Sequence, residues 1–397
     1  MTEAVETFDV LVVGGGPSGA TAANDLARQG RKVLLLDRAG RIKPCGGAIP
    51  PKLVEEFAIP EHLLVARIRS ARIVAPKGGR ADMPIEGGYV GMVDRDVFDE
   101  WLRARAEAAG AERRAGTFEE FSRDADGMAL VSYRPKGAAR HQDLRRVRAR
   151  VVIGADGALS AVARQCVPGE VPYVFAYHEI VRSPDRGGDF DATRCDVHYR
   201  GTLSPDFYAW IFPHGETTSI GTGSAHKGFS LKDGVAELRR ETGLDGLETI
   251  RREGAPIPLK PLRRWDNGRD VVLAGDAAGV VAPSSGEGIY YAMLGGRLAA
   301  DAAEECLATN NPKALANARK RFMKAHGMVF WVLGRMQDYW YRNDKRRERF
   351  VAMCRDKDVQ NLTWQAYMHK KLVRARPGAH LRIFFKDMAH VLGLIPA

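Results

Sequence analysis

The chain has 397 residues, 45% hydrophobic and 27% charged, without internal repeats or low-complexity tracts. That excludes a disordered or repeat protein and suits two intimately packed globular domains. The net charge of +11 gathers at one end: residues 311–397 carry 19 Lys plus Arg against 6 Asp plus Glu, either a surface for anionic partners or a solvated basic helical face, with no nucleic-acid recognition module beside it.

Residues 8–38 read as strand, glycine turn, helix and second strand. Val10–Val13 is an apolar run suited to a strand buried on both faces. Gly14, Gly16 and Gly19 follow in G-x-G-x-x-G spacing, which permits a tight turn, close approach of backbone to a pyrophosphate, and close helix–strand packing. The helix beyond Gly16 offers unpaired N–H groups and a positive dipole end to phosphates. Asp37 ends the second apolar run, where a carboxylate accepts from a ribose hydroxyl and repels a 2′-phosphate. This unit predicts a bound dinucleotide.

The segment RIKPCGGAIPPKL is too irregular for a strand or helix interior. A helical stretch and two or three strands are expected up to about Val93. VDRDVFDEWLRARAEAAG then spaces Val97, Phe98, Trp101 and Leu102 as a helix closed by Gly110. Val151–Ile153 predicts another buried strand turning at Gly154. Residues 171–260 alternate apolar and polar positions as an antiparallel sheet does. RDVVLAGDAAGVV returns to strand and turn before a long helix, and the chain is helical and basic from about 311. Near the end, Ile383, Phe384, Met388, Val391 and Leu392 fall on one helical stripe flanked by Arg382 and Lys386, the pattern of an interfacial or a core helix. Five scattered cysteines lack metal-ligand spacing and point to reduced thiols in a cytoplasmic setting. No signal or transit peptide and no membrane-spanning apolar run is evident.

GGGPSG at 14–19, GADG at 154–157 and GDAAG at 275–279, in that order, resemble the FAD-dependent hydroxylase-like superfamily. The resemblance implies an α/β protein: a Rossmann-like FAD-binding domain over 1–170 and 261–310, interrupted by an antiparallel-sheet substrate domain over 171–260. Some strands of 54–95 would be shared with that domain, and a basic helical region would follow over 311–397. It also implies that Gly14, Gly16 and Gly19 grip the ADP half of FAD, that Asp37 binds ribose beside Arg38, and that Arg95 faces the cofactor. Asp156 would lie on a surface shared by FAD and NAD(P)H, and Asp276 would bind the flavin ribitol. The helix opening at Gly286, Gly288 and Ile289 would point its N-terminus at the flavin pyrimidine.

Two further segments, PCGGAIPPKL at 44–53 and YAWIFPHGETTSIGTG at 208–223, resemble the geranylgeranyl reductase family, most closely its branch acting on chlorophylls or bacteriochlorophylls. Flavin-dependent halogenases carry a related W-x-W-x-I-P strand, from which this chain departs at Tyr208 and Phe212. The resemblance implies NADPH-driven reduction of a geranylgeranyl group to phytyl on bacteriochlorophyll, chlorophyll or the free diphosphate, with NADPH visiting transiently. Cys45, Gly46 and Gly47 are expected to bring a loop over the flavin, with Cys45 as proton donor or only as the residue that positions the loop. Tyr208, Trp210 and Phe212 alternate along one strand and are expected to wall the prenyl chain. Peripheral contact with the photosynthetic membrane is expected from the substrate class, and no metal is. Tyr290 and Tyr291 open the helix after GEG and either face flavin or substrate or pack in the core; His178 and His214 receive no role, and Glu287 reads as a helix N-terminal acid. An aromatic monooxygenase and a non-catalytic prenyl-pigment-binding flavoprotein are the alternatives.

Overall fold

The apolar run after Phe8 forms the strand Glu6–Val13, central in a parallel sheet of the computed structural model, which describes residues 5–40, 42–138, 144–185 and 188–370. Val33–Asp37 pairs along one edge of that strand and Arg145–Gly154 along the other. Glu112–Arg123 extends the sheet beyond the first and Val271–Leu273 beyond the second, all parallel. Ala129–Pro135 returns antiparallel between the far part of Glu112–Arg123 and the start of Arg145–Gly154. Val10, Leu34, Val152 and Val272 are fully buried, as strands of a parallel sheet covered on both faces must be. Helices Pro17–Arg28, Arg95–Ala108 and Ile289–Thr309 accompany this sheet. A Cβ on Gly296 would come within 2.1 Å of the Ser18 carbonyl, so the long helix lies directly against the start of the first.

These elements belong to one compact unit, formed by residues up to Lys43, Arg95–Tyr173 and Pro256–Met328. The second unit comprises Pro44–Asp94, Val174–Ala255 and the described chain from Val329 to Lys370. Its seven-stranded sheet runs in the order Thr249–Pro258, Tyr173–Arg182, Thr217–Ser224, Ala209–His214, Arg194–His198, Ser70–Val74, Arg80–Pro84. Residues 44–94 therefore fall wholly with this unit, because two of their strands complete its sheet and three more build a small one. Helix Asn317–Trp340 crosses the division at 328, and Asp344–Met353 and Lys357–His369 lie in the second unit. The stripe from Ile383 to Leu392 lies outside the described residues.

Two elements differ from the sequence expectation. The loop after Arg38 contains a short strand, Ala48–Ile49, and a helix, Pro51–Glu56, opened by prolines. Leu231–Glu241, inside the supposed all-strand segment, is a helix capped by Ser230. It buries Val235 and Leu238 against Ala209, Ile211 and Ile220 on one face of the larger sheet. Tyr208, Trp210 and Phe212 consequently occupy the other face. Among the described residues, no helix is long and apolar enough to cross a membrane, and no cluster of ligating side chains suits a metal.

Candidate functional site

In the first unit, the three motif glycines do different work. Gly14 has φ +104°, and a Cβ there would sit 2.3 Å from the Ala155 carbonyl oxygen; a Cβ on Gly19 would sit 1.8 Å from the Gly14 carbonyl oxygen. Both are demanded by the fold. Gly16 has an ordinary φ of −74°, and a Cβ on it would meet nothing within 4 Å. Gly16 also opens helix Pro17–Arg28 without any side-chain cap. Nothing among the described residues requires glycine there, which leaves room for a pyrophosphate against the first-turn N–H groups. The buried Ser18 hydroxyl at the same helix end has no partner among the described residues. These residues fit the diphosphate of FAD.

Asp37 lies against this turn, accepting from the N–H groups of Gly15 and Ala39, both at 2.9 Å. Arg103 donates to the Gly15 carbonyl at 3.1 Å and stands 4.0 Å from Asp37. Glu100 holds Arg103 from behind; its bonds to Arg113 and Arg103 outweigh burial and depress its carboxyl to about 2. The Arg38 side chain is exposed.

Asp276, buried on the turn Gly275–Ala278, is paired with the Lys43 ammonium. Arg95 is buried and grips Asp99 through two bonds of 2.7 Å. Asp156 accepts from the Ser160 hydroxyl and from the Ala161 N–H, so its carboxylate caps the helix Ala161–Cys166. The long helix begins at Ile289, after Gly288 and the positive-φ Gly286, and Glu287 accepts from the Tyr290 N–H at 2.9 Å. Tyr290 and Tyr291 are core residues, packed edge-on against His326.

In the second unit, Tyr208, Trp210 and Phe212 form a ladder with ring centroids 6.0 and 6.1 Å apart. Tyr208 and Trp210 are buried; Phe212 is half-buried. Burial chiefly, with Tyr341 and Cys45 nearby, pushes the Tyr208 hydroxyl well above its ordinary range. The Trp210 N–H donates to Ser219 Oγ at 3.1 Å, and the same hydroxyl is hydrogen-bonded to His178 Nδ1 at 2.8 Å. His178 Nε2 in turn meets Glu253 at 3.0 Å. Burial would raise the Glu253 carboxyl, but His178 and Arg251 hold it below its ordinary value. The indole is thereby fixed in orientation.

The Cys45–Gly46–Gly47 loop lies across this strand. A Cβ on Gly46 would come 3.1 Å from the Phe212 ring, and one on Gly47, at φ +69°, 2.4 Å from His214 Cε1. The loop thus needs two glycines to approach the ladder. Gly47 donates its N–H to the half-buried Cys45 sulfur at 3.4 Å, and Val93 donates to the Gly47 carbonyl at 3.0 Å. His214 bridges the Gly46 carbonyl and Asp94, each at 3.1 Å.

Lys43, Arg103, Asp94, Ser219 and Glu253 are absent from the sequence expectation, and His178 and His214 carry no role in it. Only His214 leaves a readable signal, as the next residue of the period-two series Tyr208, Trp210, Phe212. His178 pairs with Ser219 across 41 residues of chain, Arg103 with Gly15 across 88 and Lys43 with Asp276 across 233, and no local pattern marks them.

Residues 9–72 match the family model described as FAD dependent oxidoreductase. The chain is 57% identical over 389 residues to geranylgeranyl diphosphate reductase of Rhodobacter capsulatus, covering 98% of each. It is 36% identical to the enzyme of that name from Synechocystis sp., over 96% of this chain and 97% of that one. Among solved structures, a geranylgeranyl bacteriochlorophyll reductase-like protein of Thermoplasma acidophilum superposes with TM-score 0.79 at 23% identity, over 94% of this chain and all (100%) of that one. A flavin-dependent brominase reaches 0.75 at 17% identity, over 96% and 99%. The two structures share the fold.

Proposed function

Because the chain belongs to the geranylgeranyl diphosphate reductase family, we propose that it reduces isolated double bonds of a geranylgeranyl group, stepwise toward phytyl, with bound FAD and electrons from NADPH. Geranylgeranyl bacteriochlorophyll is the substrate we favour, with the chlorophyll ester and the free diphosphate as the other carriers of the same tail. The observation that carries this reading is the cysteine–glycine–glycine loop laid across the Tyr208–Trp210–Phe212 ladder, an apolar aromatic surface with one thiol at its edge.

FAD, when bound, supplies the hydride. The chain's own residues do the rest. Gly16, Ser18 and the helix behind them hold the diphosphate, Asp37 the ribose, and Asp276 the ribitol. The start of helix Ile289–Thr309, where Glu287 already accepts from the Tyr290 N–H, would present the positive end of its dipole to the flavin when bound. Phe212 and the rings behind it orient a prenyl unit by apolar contact, and Cys45 provides or positions the proton that the second alkene carbon requires. Peripheral contact with the membrane that holds such a pigment belongs to this reading.

The test is anaerobic: FAD-loaded protein, NADPH and geranylgeranyl bacteriochlorophyll in detergent, with the tail weighed by mass spectrometry. Mass rising in steps of two hydrogens is the expected result. An unchanged tail on a flavin that NADPH reduces would refute pigment reduction, and the free diphosphate would be tried next. Product formed only with oxygen would identify a monooxygenase instead.

A further inference from the structure

His214 ends the aromatic strand with its side chain on the same face as Phe212, and the residue is 8% exposed. Both of its hydrogen-bond partners are acceptors. The Gly46 carbonyl has no proton to give, and neither has an ionised Asp94 carboxylate. A neutral imidazole has one N–H and would turn a lone pair toward one of these oxygens. Only the ring with protons on both Nδ1 and Nε2 makes both 3.1 Å contacts favourable.

We infer that His214 is a positioning residue for the reduction: as an imidazolium donating to both Gly46 and Asp94, it latches the Cys45–Gly46–Gly47 loop across the aromatic strand. The loop is held from two sides, by His214 at the Gly46 carbonyl and by the Val93 N–H at the Gly47 carbonyl. Gly47 in turn donates to the Cys45 sulfur, so the thiol's place follows from the latch. The charged or titratable groups in this arrangement are Asp94, from the segment before helix Arg95–Ala108, and Cys45 on the loop itself. Asp94 keeps 39% of its side chain exposed, so the pair is a directed bond at the rim rather than a sealed charge. The inference rests on the proposed function only where it speaks of reduction; the latch is independent of it.

The experiment compares full-length, FAD-loaded wild type with His214→Gln and His214→Lys. One readout is the alkylation rate of Cys45 by iodoacetamide, resolved by peptide mass; the other is prenyl turnover. Lysine has donors for both acceptors, whereas glutamine can donate to one and turns its carbonyl toward the other. Loss of a charge-assisted bond should raise the local opening, and hence Cys45 labelling, by about tenfold or more in His214→Gln. His214→Lys should stay within about threefold of wild type and recover most of the turnover that glutamine loses, with kcat moving more than KM. Equal labelling of the two variants would overturn the imidazolium, as would a nitrogen NMR signal of a neutral ring. Wild-type labelling in both would overturn the latch. Fast labelling in His214→Gln with wild-type turnover would leave the latch and remove its role in reduction. Slow labelling in a wild-type protein that reduces no prenyl tail would instead refute the proposed function and leave the latch in place.

Discussion

Gly16→Ala separates a glycine needed by a ligand from glycines needed by the fold. Its backbone angles, φ −74° and ψ −177°, suit alanine, and the added methyl group meets no protein atom within 4 Å. Restricting the unfolded chain stabilises by about 0.4–1 kcal/mol, while alanine is a poorer N-cap than glycine by about the same amount. Flavin-free protein should therefore unfold within about 1 kcal/mol of wild type. FAD binding should suffer heavily. A methyl group at the helix mouth displaces the diphosphate from its N–H donors, and losing two charge-assisted bonds at about 1.5–3 kcal/mol each weakens affinity by roughly a hundredfold to ten-thousandfold. Gly14→Ala and Gly19→Ala, with Cβ atoms 2.3 and 1.8 Å from carbonyl oxygens, should destabilise the flavin-free protein outright. Urea unfolding of stripped protein and fluorescence titration with FAD read the two effects. A Gly16→Ala protein that unfolds early without FAD, or binds FAD like wild type, would refute the assignment.

Cys45→Ala should keep FAD and lose most prenyl turnover; full turnover would dismiss the thiol from the chemistry. Ser219→Ala strands the Trp210 N–H and His178 Nδ1 in a buried network, which should cost about 2 kcal/mol or more and shift tryptophan fluorescence; an unchanged melting temperature would show that the indole does not depend on Ser219. Glu100 has its carboxyl depressed from 4.5 to about 2, first by Arg113, so its support of Arg103 is complete above about pH 4.5 and lost as pH falls toward 2. Glu100→Gln should unfold more easily than wild type at neutral pH, and the difference in stability should close as pH falls from about 4.5 to 2; a constant difference would argue that Arg103 holds the Gly15 turn unaided.

The nucleotide-binding sheet is legible in sequence because parallel strands buried on both faces leave unbroken apolar runs, and because the turn between them admits few residues besides glycine. Helix Leu231–Glu241 is harder to see. Its apolar positions Leu231, Val235 and Leu238 sit between segments of strict alternation, and Ser230 alone marks its start. At the candidate site the aromatic alternation predicts a ladder, which exists, but not that Tyr208 and Trp210 are sunk in the core with Phe212 the half-buried rung. Asp156 shows how a motif acid acquires a second occupation: its carboxylate caps a short helix, which no motif reading reveals. The pairings Lys43–Asp276 and His178–Glu253 are set by tertiary approach alone.

The parallel sheet also dictates an order of assembly during synthesis. Its strand Glu6–Val13 leaves the ribosome early, yet Val271–Leu273 and the Asp276 turn follow more than two hundred residues later. At translation speeds of about 5–20 residues per second, the first apolar strands and the glycine turn wait on the order of ten to fifty seconds for the edge that completes their sheet. A chain stopped before residue 271 lacks the strand that pairs with Arg145–Gly154 and leaves that edge of the sheet open.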